Sequence, residues 1–233
     1  MTTPSSQPTA TVGPRRLVVM DVDSTLITAE VIELLAERAG TGPLVAEVTE
    51  RAMRGEIDFA ASLVERVAAL RGLPEAAFAD VLAAVELSPG ASELVAELTL
   101  RGWPVALVSG GFAEVVEPLA ARLGISHTRA NRLEVVDGVL TGRVRGEIVD
   151  RAGKARALRE FAAAEGIPMA RTVAIGDGAN DLDMLSAAAV GIAYNAKPVV
   201  CAQADHVVHG RLDETLTVID SVPVATENEA ATH

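Results

Sequence analysis

Three short apolar runs in this chain end abruptly in acidic or serine residues, and this pattern constrains the fold more than any other feature. The runs are "LVVM" before Asp21, "PVALV" before Ser109 and "TVAIG" before Asp177. Each is a continuous apolar stretch, which is typical of a strand that is buried on both faces. Helical patterns separate the three runs. Alternating strands and helices predict a parallel sheet with helices on both sides, a Rossmann-like α/β fold.

One long segment departs from this alternation. Residues 31–88 show helical patterns and no convincing strand, so we predict a small α-helical cap domain inserted after the first strand. The core is then predicted from residues 15–30 and 89–220. Residues 1–14 are rich in Thr, Ser, Pro and Gly, and we predict that they form a disordered arm. Residues 221–233 are predicted to be a disordered tail.

Individual residues predict where some helices begin or end and where one turn lies. Asp58 is predicted to cap a cap-domain helix, and Pro74 to be the first residue of the next one. Gly40 is predicted to end the first helix. Asp137 and Gly138 lie between two alternating segments, which is the signal of a β-hairpin.

Composition and charge exclude several classes of function. Among the 233 residues, 32 are acidic and 20 basic, which gives a net charge of −12 and argues against nucleic-acid binding. No apolar run approaches the roughly 20 residues that span a bilayer, and residues 1–14 contain no apolar signal segment. Cys201 is the only cysteine, which fits a reducing compartment. We therefore expect a cytoplasmic protein that does not bind membranes, either a monomer or a homodimer.

The residues that follow the apolar runs suggest a metal site. Because ligands bind at the carboxyl ends of the strands in such sheets, these residues are expected to meet at one edge. Asp21 and Asp177, with Asp181 as a further candidate, offer the hard oxygen ligands that Mg²⁺ prefers. A divalent cation would also relieve the repulsion within such a carboxylate cluster.

The same edge can hold a phosphoryl group. Ser109, Gly110 and Lys154 supply a hydroxyl, a close backbone approach and a fixed positive charge. The i, i+2 spacing places Asp21 and Asp23 on one side of the strand end. Asp21 could then attack phosphorus, while Asp23 protonates the leaving oxygen and later takes a proton from water.

Each of these features alone has an ordinary structural interpretation. An Asp after a strand often caps a helix, a Ser-Gly-Gly sequence often makes a turn, and a lysine or arginine often lies on the surface. A non-enzymatic phosphoacceptor also clusters aspartates around Mg²⁺ at strand ends, and stays an alternative. The inference depends on the joint occurrence of the features, in order, at strand ends. No Walker-type phosphate loop is present.

The ordered stretches "DVDSTL", "SGG", Lys154 and "GDGAND" resemble the four motifs of the haloacid dehalogenase-like phosphohydrolases. The resemblance extends from about Leu17 to Asp213. Within that superfamily, Glu30 and the stretch "RAMRGEIDFAASLVERV" are similar to the phosphoserine phosphatase family. The resemblance implies Mg²⁺-dependent hydrolysis of O-phospho-L-serine in serine biosynthesis, through an aspartyl phosphate. A related phosphatase or phosphotransferase that acts on another small phosphomonoester is the alternative.

The resemblance also implies roles for individual residues. Asp21 is implied as the nucleophile and Asp23 as the acid–base. Mg²⁺ would be held by Asp21, the backbone carbonyl of Asp23 and Asp177, with Asp181 in support. The implied substrate-binding residues are Glu30, Met53, Phe59, Arg66, Ser109, Gly110, Lys154 and Asn180. Among these, Glu30 would pair with the substrate ammonium and Arg66 with its carboxylate, while Met53 and Phe59 would form an apolar wall.

Overall fold

The computed structural model describes residues 14–54 and 56–224, and within them seven strands form one sheet. The remaining residues of the predicted arm and tail, 1–13 and 225–233, lie outside the described part of the chain. The strands are β1 (Leu17–Met20), β2 (Val105–Phe112), β3 (His127–Val136), β4 (Val139–Arg145), β5 (Thr172–Gly176), β6 (Val190–Tyr194) and β7 (His206–Val208). Their spatial order is β4-β3-β2-β1-β5-β6-β7, and every neighbouring pair is parallel except β3 with β4. The predicted Rossmann-like α/β fold is confirmed.

Strand β1 lies at the centre of the sheet and is buried on both faces. Val18 and Met20 belong to one hydrophobic cluster, and Leu17 and Val19 belong to another. All four side chains are fully buried. Because successive side chains of a strand point to opposite faces, each face of the sheet has its own layer of helices. This explains why the strand has no polar residue before Asp21.

Ten α-helices are present in the described residues, and helices pack against both faces of the sheet. They are α1 (Val31–Ala39), α2 (Gly42–Met53), α3 (Phe59–Ala68), α4 (Ala77–Ala84), α5 (Ala91–Leu100), α6 (Ala113–Arg122), α7 (Arg151–Ala164), α8 (Leu182–Ala187), α9 (Pro198–Cys201) and α10 (Thr215–Ser221). Helices α1–α4 occupy the segment predicted as a cap. Helix α10 includes Ser221, the first residue of the predicted tail, because Ile219 packs into the core.

The signals at helix ends were correct at two positions and wrong at a third. Gly40 adopts the left-handed conformation after α1, and the Asp58 side chain accepts a hydrogen bond from the Ala61 N–H in α3. Pro74 does not begin a helix, since α4 starts at Ala77.

The reason for the late start of α4 is a tertiary contact. Pro74 forms a β-bridge with Val139 of the β3–β4 hairpin, and the neighbouring Glu75 N–H donates to the Gly138 carbonyl. The hairpin turn itself is at Asp137 and Gly138, as predicted, and both residues have positive φ. Backbone pairing with the hairpin therefore outweighs the local preference of Pro74 for a helix start.

Within residues 14–54 and 56–224, no helix is both long and apolar enough to cross a bilayer.

Candidate active site

Three carboxylates meet at the carboxyl edge of the sheet. Asp21 directly follows β1, Asp177 directly follows β5, and Asp181 lies in the turn before α8. One oxygen atom from each lies within 4.8 Å of the others. The neighbouring pairing of β1 with β5 brings together segments that are more than 150 residues apart in the chain. The structure thus joins the residues that the sequence proposed as metal ligands.

Lys154 lies between two of these carboxylates. Its ammonium Nζ is 2.8 Å from Oδ1 of Asp21 and 2.7 Å from Oδ1 of Asp181, and the side chain is fully buried. Burial alone would lower the pKa of Lys154. The negative charges of Asp181 and Asp21 outweigh that effect and hold the pKa above its usual range. Lys154 is therefore a permanent positive charge at the floor of the site.

The carboxylate cluster still carries more negative charge than Lys154 balances. Burial and the charge of Asp181 raise the pKa of Asp21 well above its usual range, although Lys154 opposes the shift. The same two causes raise the pKa of Asp177 to about 6, opposed by a hydrogen bond from the Thr25 hydroxyl. A divalent cation among these oxygens would remove this repulsion. The donor set therefore fits Mg²⁺ in both ligand type and charge.

Asp23 lies beside Asp21 and is held by two donors. Its Oδ1 accepts the Val31 N–H at 2.8 Å, and its Oδ2 accepts the Ser109 hydroxyl at 2.9 Å. The chain makes this turn with Ser24 at φ +56°, in the left-handed region. Burial raises the pKa of Asp23, while the Val31 and Ser109 hydrogen bonds oppose the shift. A carboxyl with a raised pKa suits proton transfer.

Residues 109–111 arch out of the sheet. Between the paired positions Val108–Arg129 and Phe112–Asn131, β2 advances four residues while β3 advances two. The two extra residues put Ser109 and Gly110 next to the carboxylates. The arch also needs a glycine at 111, because a Cβ there would lie 2.5 Å from Oδ2 of Asp23 and 3.0 Å from Oγ of Ser109.

Replacing Gly111 by alanine should therefore displace Asp23 or the arch. We expect Gly111→Ala to lower kcat/KM for the phosphoester hydrolysis that the sequence resemblance implies at least about tenfold, and to lower the free energy of unfolding by about 1–3 kcal/mol, as for an overpacked interior. Gly42→Ala is the matched control, since a Cβ at Gly42 meets no atom within 4 Å. Equal kcat/KM for the two variants in a steady-state assay would contradict this account of the arch.

A cavity of about 610 Å³ opens from the carboxylates towards helices α1–α3. Phe59 lies over the arch, so that a Cβ on Gly110 would be 3.0 Å from its Cζ atom. Glu30, Arg66 and Asn180 also line this cavity. The backbone of Met53 ends helix α2, and its side chain lies outside what the structure describes. Every other residue predicted to bind substrate lies in or directly beside the cavity.

Glu30 and Arg66 add one acidic and one basic side chain to the lining of the cavity. Burial and the nearby Asp23 raise the pKa of Glu30 to about 7, while a 2.7 Å hydrogen bond from the Ser24 hydroxyl opposes the shift. Burial lowers the pKa of Arg66 from its usual value, and its Nε donates to the Ser62 carbonyl at 3.3 Å. Among the described residues, Arg66 forms no ion pair, although the charges of Glu30 and Glu33 act on it at longer range. Its guanidinium is thus free to bind an anion, and Glu30 to bind a cation.

The sequence alone indicated no role for several residues in or beside the cavity. Thr25 and Ser24 hold Asp177 and Glu30 through their hydroxyls. Lys197 and Arg151 line the cavity as additional cations. Ser24 and Thr25 directly follow the Asp21–Asp23 pair. Their place in a polar run at a strand end could have indicated that they belong to the site. Lys197 and Arg151 gave no comparable signal.

Comparison with known proteins places this geometry in a family. The family model for haloacid dehalogenase-like hydrolases matches residues 18–186. A phosphoserine phosphatase of Streptomyces coelicolor is 62% identical over 186 residues, which is 80% of this chain and 45% of that protein. One from Streptococcus thermophilus is 52% identical over 207 residues, 88% of this chain and 96% of that protein. The chain thus spans a little under half of the first relative and nearly all of the second.

A solved structure gives the same result for the fold. It is described as a phospho-aspartyl intermediate analogue of phosphoserine phosphatase, and it superposes with a TM-score of 0.82 at 40% identity. The match covers 88% of this chain and 98% of that one. The chain belongs to the haloacid dehalogenase-like hydrolases and, within them, to the phosphoserine phosphatase family.

Proposed function

We propose that this chain is a Mg²⁺-dependent phosphoserine phosphatase, which releases L-serine and phosphate in serine biosynthesis in the cytoplasm. The observation that carries the proposal is a single cavity lined by two chemically different groups of side chains. Asp21 and Asp177, with Lys154 in contact with Asp21, form one group, and Glu30 and Arg66 form the other. Phosphoserine presents a phosphate dianion on one side and an ammonium and a carboxylate on the other. The relatives and the solved structure described above support this substrate.

The residues present can carry out both halves of the hydrolysis. The Asp21 carboxylate attacks phosphorus and forms an aspartyl phosphate, while Asp23 protonates the departing serine oxygen. Asp23 then takes a proton from a water molecule that attacks the aspartyl phosphate, which releases phosphate and restores Asp21. Lys154 holds Asp21 in place and neutralises charge in both steps. Mg²⁺, held by Asp21, Asp177 and Asp181 and by the Asp23 carbonyl, would supply charge neutralisation at the phosphoryl oxygens.

Glu30 and the wall formed by residues 31–88, which we propose as the cap domain, supply substrate selection. An ammonium near Glu30 would lower the pKa of that carboxyl from about 7 and favour its ionised form. Arg66 can bind a carboxylate through two parallel N–H donors, an arrangement that a lysine cannot reproduce. Phe59 over the arch, together with Met53, would exclude water from the reacting groups.

The test is steady-state hydrolysis of phosphoserine against a panel of small phosphomonoesters, with Mg²⁺ and with EDTA. We expect phosphoserine to be preferred by at least about tenfold in kcat/KM, which is about 1.4 kcal/mol of transition-state binding. We also expect EDTA to abolish turnover. An equal or greater kcat/KM for another phosphomonoester would favour the alternative, a related phosphatase or phosphotransferase with a differently tuned cap.

Replacing Arg66 tests the carboxylate contact directly. We expect Arg66→Lys to lower kcat/KM for phosphoserine about 10- to 100-fold, because the bidentate contact is lost. For O-phosphoethanolamine, which has the ammonium but no carboxylate, the change should stay below about threefold. Arg38→Ala is the control, since Arg38 is exposed at the end of α1 and does not line the cavity. Equal losses on both substrates would refute a substrate-binding role for Arg66.

A further inference from the structure

The polar side chain of Asn131, on strand β3, is buried behind the site and lies outside the cavity. It is 1% exposed, and both ends of its amide are hydrogen-bonded to backbone. Its Nδ2 donates to the Gly110 carbonyl at 2.7 Å, and its Oδ1 accepts the Val149 N–H at 2.8 Å. A buried amide that connects two otherwise separate segments fixes their distance from each other.

The first segment is the arch of residues 109–111. The arch interrupts the pairing of β2 with β3, so the Gly110 carbonyl accepts no backbone hydrogen bond from β3. The side-chain amide of Asn131 donates to this carbonyl instead. The Gly110 carbonyl and the Gly111 N–H belong to one planar peptide and point in opposite directions. Fixing that carbonyl therefore also aims the Gly111 N–H, which donates to Oγ of Ser109 at 2.7 Å.

This chain of hydrogen bonds continues to the proposed acid–base. The Ser109 hydroxyl accepts from Gly111 and donates to Oδ2 of Asp23 at 2.9 Å. Asn131 is thus linked to Asp23 through one peptide and one hydroxyl. The position of the Asp23 proton-transfer oxygen depends on this series of contacts.

The second segment leads to Lys154. Val149 directly precedes Asp150, which caps helix α7 by accepting the Gly153 N–H at 2.7 Å and whose carbonyl accepts the Lys154 N–H. Lys154 then reaches the nucleophile Asp21 from the first turn of that helix. The Val149 contact with Asn131 therefore sets where the helix begins relative to the arch.

We propose that Asn131 is a positioning residue, which holds the phosphate-binding arch and the Lys154 helix at a fixed separation that matches one phosphoryl group. The inference rests on the proposed function, since it takes the arch and Lys154 as the phosphate site. It adds to that function a residue that touches neither substrate nor metal. Replacing Asn131 should weaken phosphate binding and lower turnover, because it displaces Ser109, Asp23 and Lys154.

The experiment compares Asn131→Asp and Asn131→Ala with a matched control, Thr172→Val. Asn131→Asp keeps the shape and the acceptor for Val149 but places an oxygen against the Gly110 carbonyl. Thr172 is also fully buried, donating to the Met169 carbonyl and accepting the Ala189 N–H, but at the opposite end of the sheet. Calorimetry measures the Kd for inorganic phosphate with Mg²⁺ present, and steady-state assays measure kcat and KM for the substrate.

We expect both Asn131 variants to raise the phosphate Kd about tenfold and to lower kcat/KM about 10- to 100-fold, whereas Thr172→Val changes either by less than about twofold. All three should lower the unfolding midpoint, so stability alone does not separate them. Unchanged phosphate Kd and kcat/KM in a folded Asn131 variant would overturn the proposal. Failure of the wild-type chain to hydrolyse phosphoserine would instead overturn the proposed function, since the phosphate Kd is measured without turnover.

A second measurement on the unmodified chain covers the case in which the variants do not fold. Inorganic phosphate with Mg²⁺ should slow hydrogen exchange of the Val149 N–H at least about fivefold, because phosphate on the arch tightens the contacts that end at Asn131. The Ala189 N–H, held by Thr172, is the internal control and should not respond. Equal exchange rates of the Val149 N–H with and without phosphate would contradict the link.

Discussion

Asp21→Asn should abolish turnover while leaving the protein folded. We expect kcat/KM for phosphoserine to fall about 10⁴-fold or more, because an amide is not a nucleophile towards phosphorus and cannot form the aspartyl phosphate. The amide oxygen can still accept the Val22 N–H and the Lys154 ammonium, as the carboxylate does now. The free energy of unfolding should therefore change by less than about 1 kcal/mol.

Steady-state assays and chemical denaturation on the same preparation check this result. Asp80→Asn is the control, since Asp80 is exposed on helix α4 and does not line the cavity. Its kcat/KM should equal that of the unmodified chain. An Asp21→Asn variant that keeps more than about one per cent of the activity would show that another group attacks phosphorus.

Lys154→Met should be the most destabilising substitution in the site. The change leaves the buried carboxylates of Asp21 and Asp181 facing each other without a cation, and breaking a buried ion pair in this way costs about 3–5 kcal/mol. Activity should fall about 10³-fold or more, because the fixed charge near phosphorus is lost. Urea denaturation without metal measures the first effect.

A double variant distinguishes charge from packing as the cause of this instability. In the Lys154→Met background, Asp181→Asn should raise the free energy of unfolding, because it removes one of the two unpaired charges. In the unmodified chain the same Asp181→Asn change should lower it. One Asp181 oxygen accepts the Lys154 ammonium and the other accepts the Asp177 and Gly178 N–H groups, whereas an asparagine amide has only one oxygen. The same sign in both backgrounds would mean that the ion pairs do not account for the stability of the site.

The sequence was most informative where local chemistry alone decides the structure. The apolar runs before Asp21 and Asp177 required burial on both faces, so the central parallel strands could be predicted. These two runs and the run before Ser109 each end at a polar residue. Those ends predicted where the carboxylates and the Ser109 hydroxyl would lie. The turn at Asp137 and Gly138 was predictable because few residues adopt positive φ at low cost.

Contacts between distant segments account for what could not be predicted. Pro74 favours a helix start, but its bridge to Val139 depends on a hairpin more than 60 residues away. The amino-terminal half of β3 carries few consecutive apolar residues, and its place in the sheet becomes evident only from its pairing with β2. Asn131 lies in that half. Its role could not be predicted, because it depends on the Gly110 carbonyl that the arch leaves without a strand partner. No spacing of residues in the sequence indicates this.

The central claim is that one cation and one phosphorus atom lie between the carboxylates of Asp21 and Asp177. A crystal structure with Mg²⁺ and beryllium fluoride, a mimic of the phosphoryl group, tests it most directly. The account predicts the fluoride group on an oxygen of Asp21, beside Lys154 and the 109–111 arch, with Mg²⁺ in contact with Asp21 and Asp177. Beryllium fluoride bound elsewhere, or Mg²⁺ that contacts neither aspartate, would contradict it.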